Sequence, residues 1–255
     1  MEELTTKCLV VRSSDYGDND RLLTLITEDK GKLFATIKGG KSLRSRFTSV
    51  SEQFTYATIS LRRKTKFFYV FDAELIDDFY PLREDLVKVA LASYICDVAS
   101  ELSPEGINDP SILKLTLNAL YAMAYKDVPC ELIKASYEFK AAVLSGFMPD
   151  LSACAVCGKE SDDEMFIDAA SGTLICSDCI TLPESRTGVT GASVLLPVTK
   201  DVLLALRYLE EAPVQKFLSF RLSGDVGVFS NFCEKYIACH LEKELYTLTF
   251  YRSVK

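Results

Sequence analysis

Apolar and polar positions alternate through the first third of the chain. The alternation is clearest at residues 32–38, where Leu33, Ala35 and Ile37 fall on one face of a strand and the intervening residues on the other. Polar segments divide the pattern into five strands, at residues 5–12, 21–28, 32–38, 52–61 and 66–76. Since no long helical period interrupts these strands, we predict a small five-stranded antiparallel β-barrel of the OB type.

The apolar residues then recur at helical spacing. This pattern predicts helices over residues 82–102, 110–126, 129–146, 199–211 and 225–245. Pro110 and Pro129 stand where a helix tolerates proline, in its first turn, and Thr199 is a suitable N-cap. We therefore predict an α+β protein, with the barrel in residues 1–79 and an α-helical domain in residues 80–255.

Two Cys-x-x-Cys pairs lie within the helical region. They are Cys154, Cys157, Cys176 and Cys179, and eighteen residues separate the two pairs. This spacing is typical of a four-thiolate zinc site, because two intervening residues let both sulfurs of a pair reach one ion. A dithiol redox pair and unrelated free thiols are the alternatives. Since protein sulfur would fill all four tetrahedral positions, we expect one structural Zn²⁺ in an inserted module at about residues 150–183.

Composition is that of an ordinary globular protein. Hydrophobic residues make up 48% of the chain and charged residues 25%. The longest apolar run, residues 119–125, is much shorter than a membrane span, and the polar first seven residues do not resemble a signal peptide. The other five cysteines lie mostly among apolar residues, as reduced thiols do in the cytosol. We expect a cytoplasmic protein with no membrane partner and no small-molecule substrate.

Charge is distributed unevenly along the chain. The net charge of −7 argues by itself against nucleic-acid binding. Residues 1–72, however, hold 13 Lys/Arg and 9 Asp/Glu, whereas the remainder holds 16 and 27. Residues 30–66 hold ten basic residues and a single acid, Glu52. This segment is therefore the candidate anion-binding surface.

The basic segment combines cations with aromatic residues. We predict that it binds DNA, with phosphates along the connection after the third strand and along the hairpin between the last two strands. The predicted contacts are Lys38, Lys41, Arg44, Arg46, Arg62, Arg63, Lys64 and Lys66, with Phe34 as a ring on which a base can stack. Four more rings follow the hairpin, Phe67, Phe68, Tyr69 and Phe71. Two alternatives stay open: the rings fill the barrel core, or the cations only keep an edge of the sheet soluble.

The sequence contains no evident catalytic constellation. The single histidine, His240, falls late in the last predicted helix, where a surface or packed residue is the ordinary interpretation. Residues 40–42, Gly-Lys-Ser, resemble the end of a phosphate-binding loop, but Ala35 stands where that motif requires glycine. We therefore expect a protein that is not an enzyme.

Several short motifs follow one another along the chain. They are Tyr16-Gly-Asp-Asn-Asp-Arg21, Asp29-Lys-Gly31, Gly39-Gly-Lys-Ser42, Ala73-Glu-Leu-Ile-Asp-Asp-Phe79, the four cysteines, and a closing helix and tail over residues 236–250. In this order and spacing, the motifs resemble the RecO family of bacterial recombination mediators over essentially the whole chain.

The resemblance implies an N-terminal OB fold, a central helical domain and a zinc module. It also implies binding of single- and double-stranded DNA, annealing of complementary strands, and loading of RecA, together with RecR, onto DNA coated by single-strand-binding protein (SSB). RecR and the acidic, apolar C-terminal tail of SSB are the expected protein partners, the tail in a groove of the helical domain flanked by Lys or Arg. The expected location is the bacterial cytoplasm, in association with the nucleoid.

Two other classes of function stay open. In a protein–protein adaptor, the basic barrel would dock an acidic partner and DNA binding would be incidental. A zinc-dependent enzyme would need an open position on its metal.

Overall fold

The computed structural model describes residues 2–42, 45–64, 67–241 and 243–255. Its strands are β1 (Glu2–Tyr16), β2 (Asp20–Thr27), β3 (Gly31–Ile37), β4 (Tyr56–Lys64), β5 (Phe67–Asp77), β6 (Glu164–Asp168), β7 (Thr173–Cys176) and β8 (Leu195–Thr199). Its α-helices are α1 (Leu86–Leu102), α2 (Ser111–Tyr125), α3 (Cys130–Leu144), α4 (Glu184–Thr187), α5 (Lys200–Glu211), α6 (Val226–Ala238) and α7 (Tyr246–Val254). Among the described residues, no helix has the length and apolar character needed to span a membrane.

The chain forms two compact units. The first comprises Met1–Asp127 together with Leu245–Lys255, and the second comprises Val128–Glu244. The first unit thus contains β1–β5 with α1, α2 and α7, and the second contains the remaining helices and the cysteine pairs. The boundary between a barrel domain and a helical domain at residue 79 stays a prediction, whereas the compact units divide after Asp127 and group α1, α2 and α7 with the barrel strands.

The predicted five N-terminal strands are confirmed, and they close into a barrel in the order β1-β2-β3-β5-β4. β1 pairs with both β2 and β4, and every pairing is antiparallel except that of β3 with β5, where the predicted antiparallel arrangement is wrong. The parallel seam joins Ala35 to Phe68 and Thr36 to Tyr69. Register shifts in β1 and in the β4–β5 pair mark bulges, which bend strands enough for such a small sheet to close.

Side chains from alternate positions of every strand fill the barrel. The core includes Leu23, Leu25, Ala35, Ile37, Ala57, Ile59, Leu61 and Val70. The predicted alternation in β3 is mostly correct, since Ala35 and Ile37 are buried and Phe34 is exposed. Thr36 departs from it, with only 5% of its surface exposed. Thr36 lies opposite Leu22 of β2 and Tyr69 of β5, and these larger neighbours cover it on the outer face.

Two predicted helices have different limits in the structure. Residues 80–84 form a short 3₁₀ helix, and α1 begins only after Asp85, whose carboxylate accepts the N–H groups of Val87 and Lys88. The predicted helix over 225–245 is wrong in length, because α6 ends at Ala238 and a separate helix, α7, follows. In the sequence, apolar residues continue at helical spacing past Ala238, so the end of α6 cannot be recognised there.

The turn between β2 and β3 packs against the connection after α1. Gly31 has a φ of +61°, and a β-carbon there would lie 2.2 Å from the carbonyl oxygen of Pro104. That oxygen accepts the N–H of Lys32 at 3.3 Å, and the N–H of Gly106 donates to the carbonyl of Lys30 at 3.1 Å. Both the left-handed conformation and the lack of space therefore require glycine at position 31.

We predict that Gly31→Ala lowers the free energy of unfolding by about 3 kcal/mol or more, since it adds a steric clash to the cost of positive φ. Gly17→Ala is the matched control, because Gly17 has a φ of +56° and a β-carbon there would meet no atom within 4 Å. The control should lose only about 1–2 kcal/mol. Urea unfolding measures both. Equal losses would show that the Pro104 contact does not constrain the turn.

A buried ionic cluster joins α3 to α6 in the second unit. Lys134 and Glu138 are 1% and 0% exposed in their side chains, and their Nζ and carboxylate oxygen lie 2.9 Å apart. Glu234 of α6 approaches the same Nζ at 2.7 Å. Burial opposes a charge on Lys134, but the two carboxylates outweigh it and raise the pKa of the ammonium. Removing the lysine would leave two acids facing each other without a counter-charge.

Lys134→Met should therefore destabilise the protein by about 3–5 kcal/mol. Lys235→Met on α6 is the control, since Lys235 is exposed and its replacement removes the same charge. Adding Glu138→Gln and Glu234→Gln to Lys134→Met should recover part of the loss. Chemical denaturation decides the matter: if the Lys134 and Lys235 variants lose equal stability, the cluster does not stabilise the fold.

Candidate metal centre and nucleic-acid interface

The four cysteines predicted as metal ligands come together in the second unit. The sulfur atoms of Cys154, Cys157, Cys176 and Cys179 all lie within 4.8 Å of one another. In a tetrahedral zinc–thiolate site with Zn–S bonds of about 2.3 Å, sulfur atoms are separated by about 3.8 Å. The Cys157 and Cys176 sulfurs are 3.7 Å apart, so the donor set fits a single tetrahedral metal ion. A disulfide would need about 2 Å.

Local backbone geometry turns both sulfurs of each pair inward. After the first pair, Gly158 has a φ of +75°, and its N–H donates to the carbonyl of Cys154 at 2.8 Å. The second pair follows the β6–β7 hairpin, in which Cys176 lies opposite Met165. The N–H of Cys179 then donates back to the carbonyl of Cys176 at 3.1 Å. Each pair is therefore a tight turn, as the spacing predicts.

The environment of the thiols differs from one to the next. Burial opposes ionisation of Cys154, but the backbone N–H groups of Cys157, Cys176 and Val156 hold its pKa at about 6. Burial, together with the neighbouring sulfurs, raises the pKa of Cys179 to about 12. Four thiolates in this volume repel one another, so their joint ionisation requires a cation among them.

Further contacts hold the module together. Lys159 Nζ donates to Asp162 at 2.8 Å and to Asp178 at 3.1 Å, which ties the segment after the first cysteine pair to the second pair. A three-stranded sheet, in the order β7-β6-β8, supports the hairpin. None of these three strands is among the predicted ones, although in β8 buried Leu196 and Val198 alternate with exposed positions.

Two of the predicted cations, Lys38 and Arg62, meet in a cleft on the surface of the barrel. Lys38 and Arg62 line one surface cleft of about 350 Å³ together with Tyr69 and Phe71, and we call it the β5 cleft. The Nζ of Lys38 lies 5.4 Å from the ring centre of Tyr69. The guanidinium carbon of Arg62 lies 4.6 Å from the ring centre of Phe71. Cations over ring faces bordering a cleft are a suitable arrangement for phosphates and bases together.

Strand register explains the β5 cleft. Tyr69 lies opposite Arg62 of β4 on one side and opposite Thr36 of β3 on the other. Since side chains two residues apart share a face, Lys38 and Phe71 extend the same outer surface. Val70, between the two rings, points into the core. The cleft therefore depends on the pairing of β3, β4 and β5, which the order of the strands along the chain does not reveal.

Four of the predicted cations form ion pairs with carboxylates of the same unit. The N–O distances are 2.7 Å for Lys38–Asp20, 3.3 Å for Lys41–Asp15, 2.9 Å for Arg62–Glu3 and 3.2 Å for Arg63–Glu2. The hydrogen bond from Lys38 and that from the N–H of Gly39 lower the pKa of Asp20. The cations expose 29–67% of their side chains and the carboxylates 18–70%, so solvent partly screens the pairs, which contribute little to folding stability and can exchange with another anion.

The remaining predicted contacts are Arg44, Arg46, Lys64 and Lys66. Arg46 donates to the carbonyl of Phe71, and its guanidinium carbon lies 4.6 Å from the ring centre of Phe47. Arg44, Lys66 and the side chain of Lys64 lie outside the described residues.

The aromatic residues divide between the core and the surface. Phe47 and Phe68 pack against the barrel core. Phe34 and Phe67 are exposed by 42% and 56%, and Tyr69 and Phe71 are half-buried in the β5 cleft. The alternative that the rings fill the barrel core therefore holds for Phe47 and Phe68 only. The alternative that the cations only keep an edge of the sheet soluble stays open. The set predicted from the sequence included Phe34 but not Tyr69, Phe71 or Phe67.

Comparison with known proteins bears on the whole chain. Residues 1–79 match the family model for the recombination protein O N terminal domain, and residues 83–249 match that for the C terminal domain. A relative from Caldanaerobacter subterraneus subsp. tengcongensis, named DNA repair protein RecO, is 29% identical over 252 residues and 98% of each chain. Relatives of the same name from Desulforudis audaxviator and Acetivibrio thermocellus are 28% and 25% identical over 256 residues, covering 100% of this chain and 98% of theirs. With both halves matched, this chain belongs to the RecO family of DNA repair proteins.

Proposed function

We propose that this protein is a recombination mediator that binds single- and double-stranded DNA through its barrel. The β5 cleft carries the proposal, because it places two cations beside two partly exposed rings on one face. The strand order, with a parallel β3–β5 seam closing five strands, is consistent with an OB fold, a common single-strand-binding module. Family membership supports a role in repair and recombination.

In this proposal, DNA phosphates replace the protein's own carboxylates. Asp20 and Glu3 hold Lys38 and Arg62 in place while the cleft is empty of DNA. A phosphate entering the cleft takes over these cations, and Tyr69 and Phe71 offer ring faces to the adjoining bases. Because the displaced carboxylates remain nearby, the net electrostatic gain is small and binding is sensitive to salt.

We further propose that the protein anneals complementary strands and helps to load RecA onto SSB-coated DNA together with RecR. A cavity of about 350 Å³ in the second unit is a candidate for the SSB tail. Its lining is mainly apolar and includes Leu132, Phe220, Leu222 and Val226. Arg221 also lines it and can pair with an acidic residue. The tail's combination of apolar and acidic residues, implied by the family resemblance, matches this lining.

The cysteine cluster is proposed to hold one structural Zn²⁺. Its four sulfurs leave no coordination position for a substrate, so the metal would organise the module rather than react. We also propose that the protein acts by binding and not by catalysis, in the bacterial cytoplasm in association with the nucleoid.

A protein–protein adaptor is the second candidate. The ion pairs on the barrel favour it in one respect, since they show that these cations already accept carboxylates as partners. An acidic protein would then dock on the barrel, and bare oligonucleotides would bind weakly or not at all.

Replacing Lys38 and Arg62 together by Ala should weaken binding of a single-stranded oligonucleotide roughly tenfold or more. It should also reduce the dependence of log affinity on log salt by about 0.7 for each phosphate that the variant no longer neutralises. Fluorescence anisotropy at several salt concentrations measures both quantities.

Lys114→Ala with Arg186→Ala is the matched control. It removes one lysine and one arginine that are exposed and belong to α2 and α4 and not to the barrel strands. If the control variant and the cleft variant lose equal affinity, only net charge matters and the β5 cleft is not the binding surface. If the wild-type protein does not bind bare DNA, the adaptor is favoured.

Metal analysis of the purified protein should find one zinc per chain. Cys176→Ser should lose the metal and melt at a lower temperature, because unpaired thiolates repel and the β6–β7 hairpin loses its anchor. Cys239→Ser is the control, since Cys239 is exposed and outside the cluster. A metal-free wild-type protein with the same melting temperature as the zinc-bound form would contradict the proposal.

A further inference from the structure

The barrel has a second concave feature, at the end where β1, β3 and β5 begin and β2 and β4 end. A cavity of about 560 Å³ opens there. Its floor is made by the core-facing side chains of Leu4, Leu33 and Phe68. Phe34 and Phe67 also line it, and both rings are exposed, by 42% and 56%. Leu22 and Thr36, on the outer face of the sheet, also line the cavity. The cavity therefore joins this end of the hydrophobic core to the outer face of β2 and β3, with two exposed aromatic residues at its rim, and we call it the mouth of the barrel.

The opposite end of the barrel is covered. Val50, in the short 3₁₀ helix between β3 and β4, is 3% exposed and belongs to the core cluster, and Phe47 packs against that cluster. At the open end, the connection after α1 supplies a wall through Glu105 and Gly106. The tight contact of Gly31 with Pro104 fixes this wall against the strands. The mouth is therefore a pocket with a defined wall and not an uncovered end of the strands.

Charges around the mouth are balanced. Lys30 and Arg63 face it together with Glu2 and Glu105, and Arg63 lies 3.2 Å from Glu2. Among the described residues, those lining the β5 cleft include two cations and no carboxylate, although Asp20 and Glu3 pair with these cations, whereas cations and carboxylates line the mouth in equal number. A neutral planar group suits this lining better than a phosphate does, because it can bury its faces against rings and aliphatic side chains. Its edge would meet both donors and acceptors at the rim.

The mouth is continuous with the β5 cleft along two strands. Arg62 and Tyr69 border the cleft, and their immediate neighbours Arg63 and Phe68 line the mouth. Since successive side chains of a strand point to opposite faces, one residue step leads from the outer surface into the barrel end. A single-stranded chain whose phosphates lie in the cleft therefore reaches the mouth with the next part of its length.

We infer that the mouth of the barrel takes one unstacked nucleobase from the strand held in the β5 cleft. The base lies against Phe34 and Phe67, above the floor formed by Leu4, Leu33 and Phe68. This inference rests on the proposed DNA binding and extends it with a base subsite. In a duplex, the base must first unpair and unstack at a cost of a few kcal/mol, whereas a single strand offers it freely. The subsite thus gives the barrel a preference for single strands.

The test compares two oligonucleotide probes of equal length and charge, one with ordinary bases and one with abasic sugar–phosphate throughout. Wild-type protein should bind the base-containing probe more tightly. Stacking of one base is worth about 1–3 kcal/mol, so Phe34→Leu with Phe67→Leu should lower the affinity ratio of the two probes by roughly 5- to 150-fold. The salt dependence of binding should stay unchanged, because the phosphate contacts are retained.

Two controls separate the subsite from general effects. Tyr246→Leu with Phe250→Leu removes two exposed rings of α7 and should leave the ratio unchanged. Phe34→Tyr with Phe67→Tyr keeps the ring faces and should preserve the ratio. An affinity ratio that is equal in the Phe→Leu variant and the wild type overturns the base subsite while leaving DNA binding intact. A wild-type protein that binds neither probe overturns the proposed function itself, and the subsite with it.

Discussion

The structure depends above all on the parallel seam between β3 and β5. Only two residue pairs form it, Ala35 with Phe68 and Thr36 with Tyr69, yet it converts a strip of strands into a closed barrel. Closure removes the exposed sheet edges and gives the core a complete wall. It also brings Lys38, which follows β3, beside Arg62 of β4 with Tyr69 between them. Without the seam, neither the cleft nor the barrel mouth would exist.

The cations of the barrel act through their local partners and not through the net charge of the chain. The chain carries a net charge of −7, and the cations of the barrel are partnered by carboxylates of the same unit. Such exposed pairs hold side chains in position at little energetic cost, and they exchange readily. For the proposed DNA-binding role, such exchangeable pairs would give a moderate and salt-sensitive affinity. The four clustered cysteines lie in the other compact unit, where their sulfurs could hold one metal ion.

Much of this architecture could be predicted from the sequence, because periodicity and cysteine spacing are local signals. The five strands and the four clustered cysteines are examples. Pairing between distant strands is not local, so the ion pairs of Glu2 and Glu3 with β4 could not be foreseen. Residues 67–69 are all aromatic, so the sequence does not show which of these rings faces inward. Only the register with β3 and β4 settles that Phe68 packs on the core while Tyr69 lines the cleft.

Photo-crosslinking of a single-stranded oligonucleotide carrying 5-bromouracil, followed by mass spectrometry of the linked peptides, tests the central claim most directly. If the barrel is the DNA-binding surface, crosslinks map to the aromatic residues of β3 and β5, at Phe34 and within residues 67–71. Crosslinks confined to residues 128–244, with none in the barrel strands, would contradict the account.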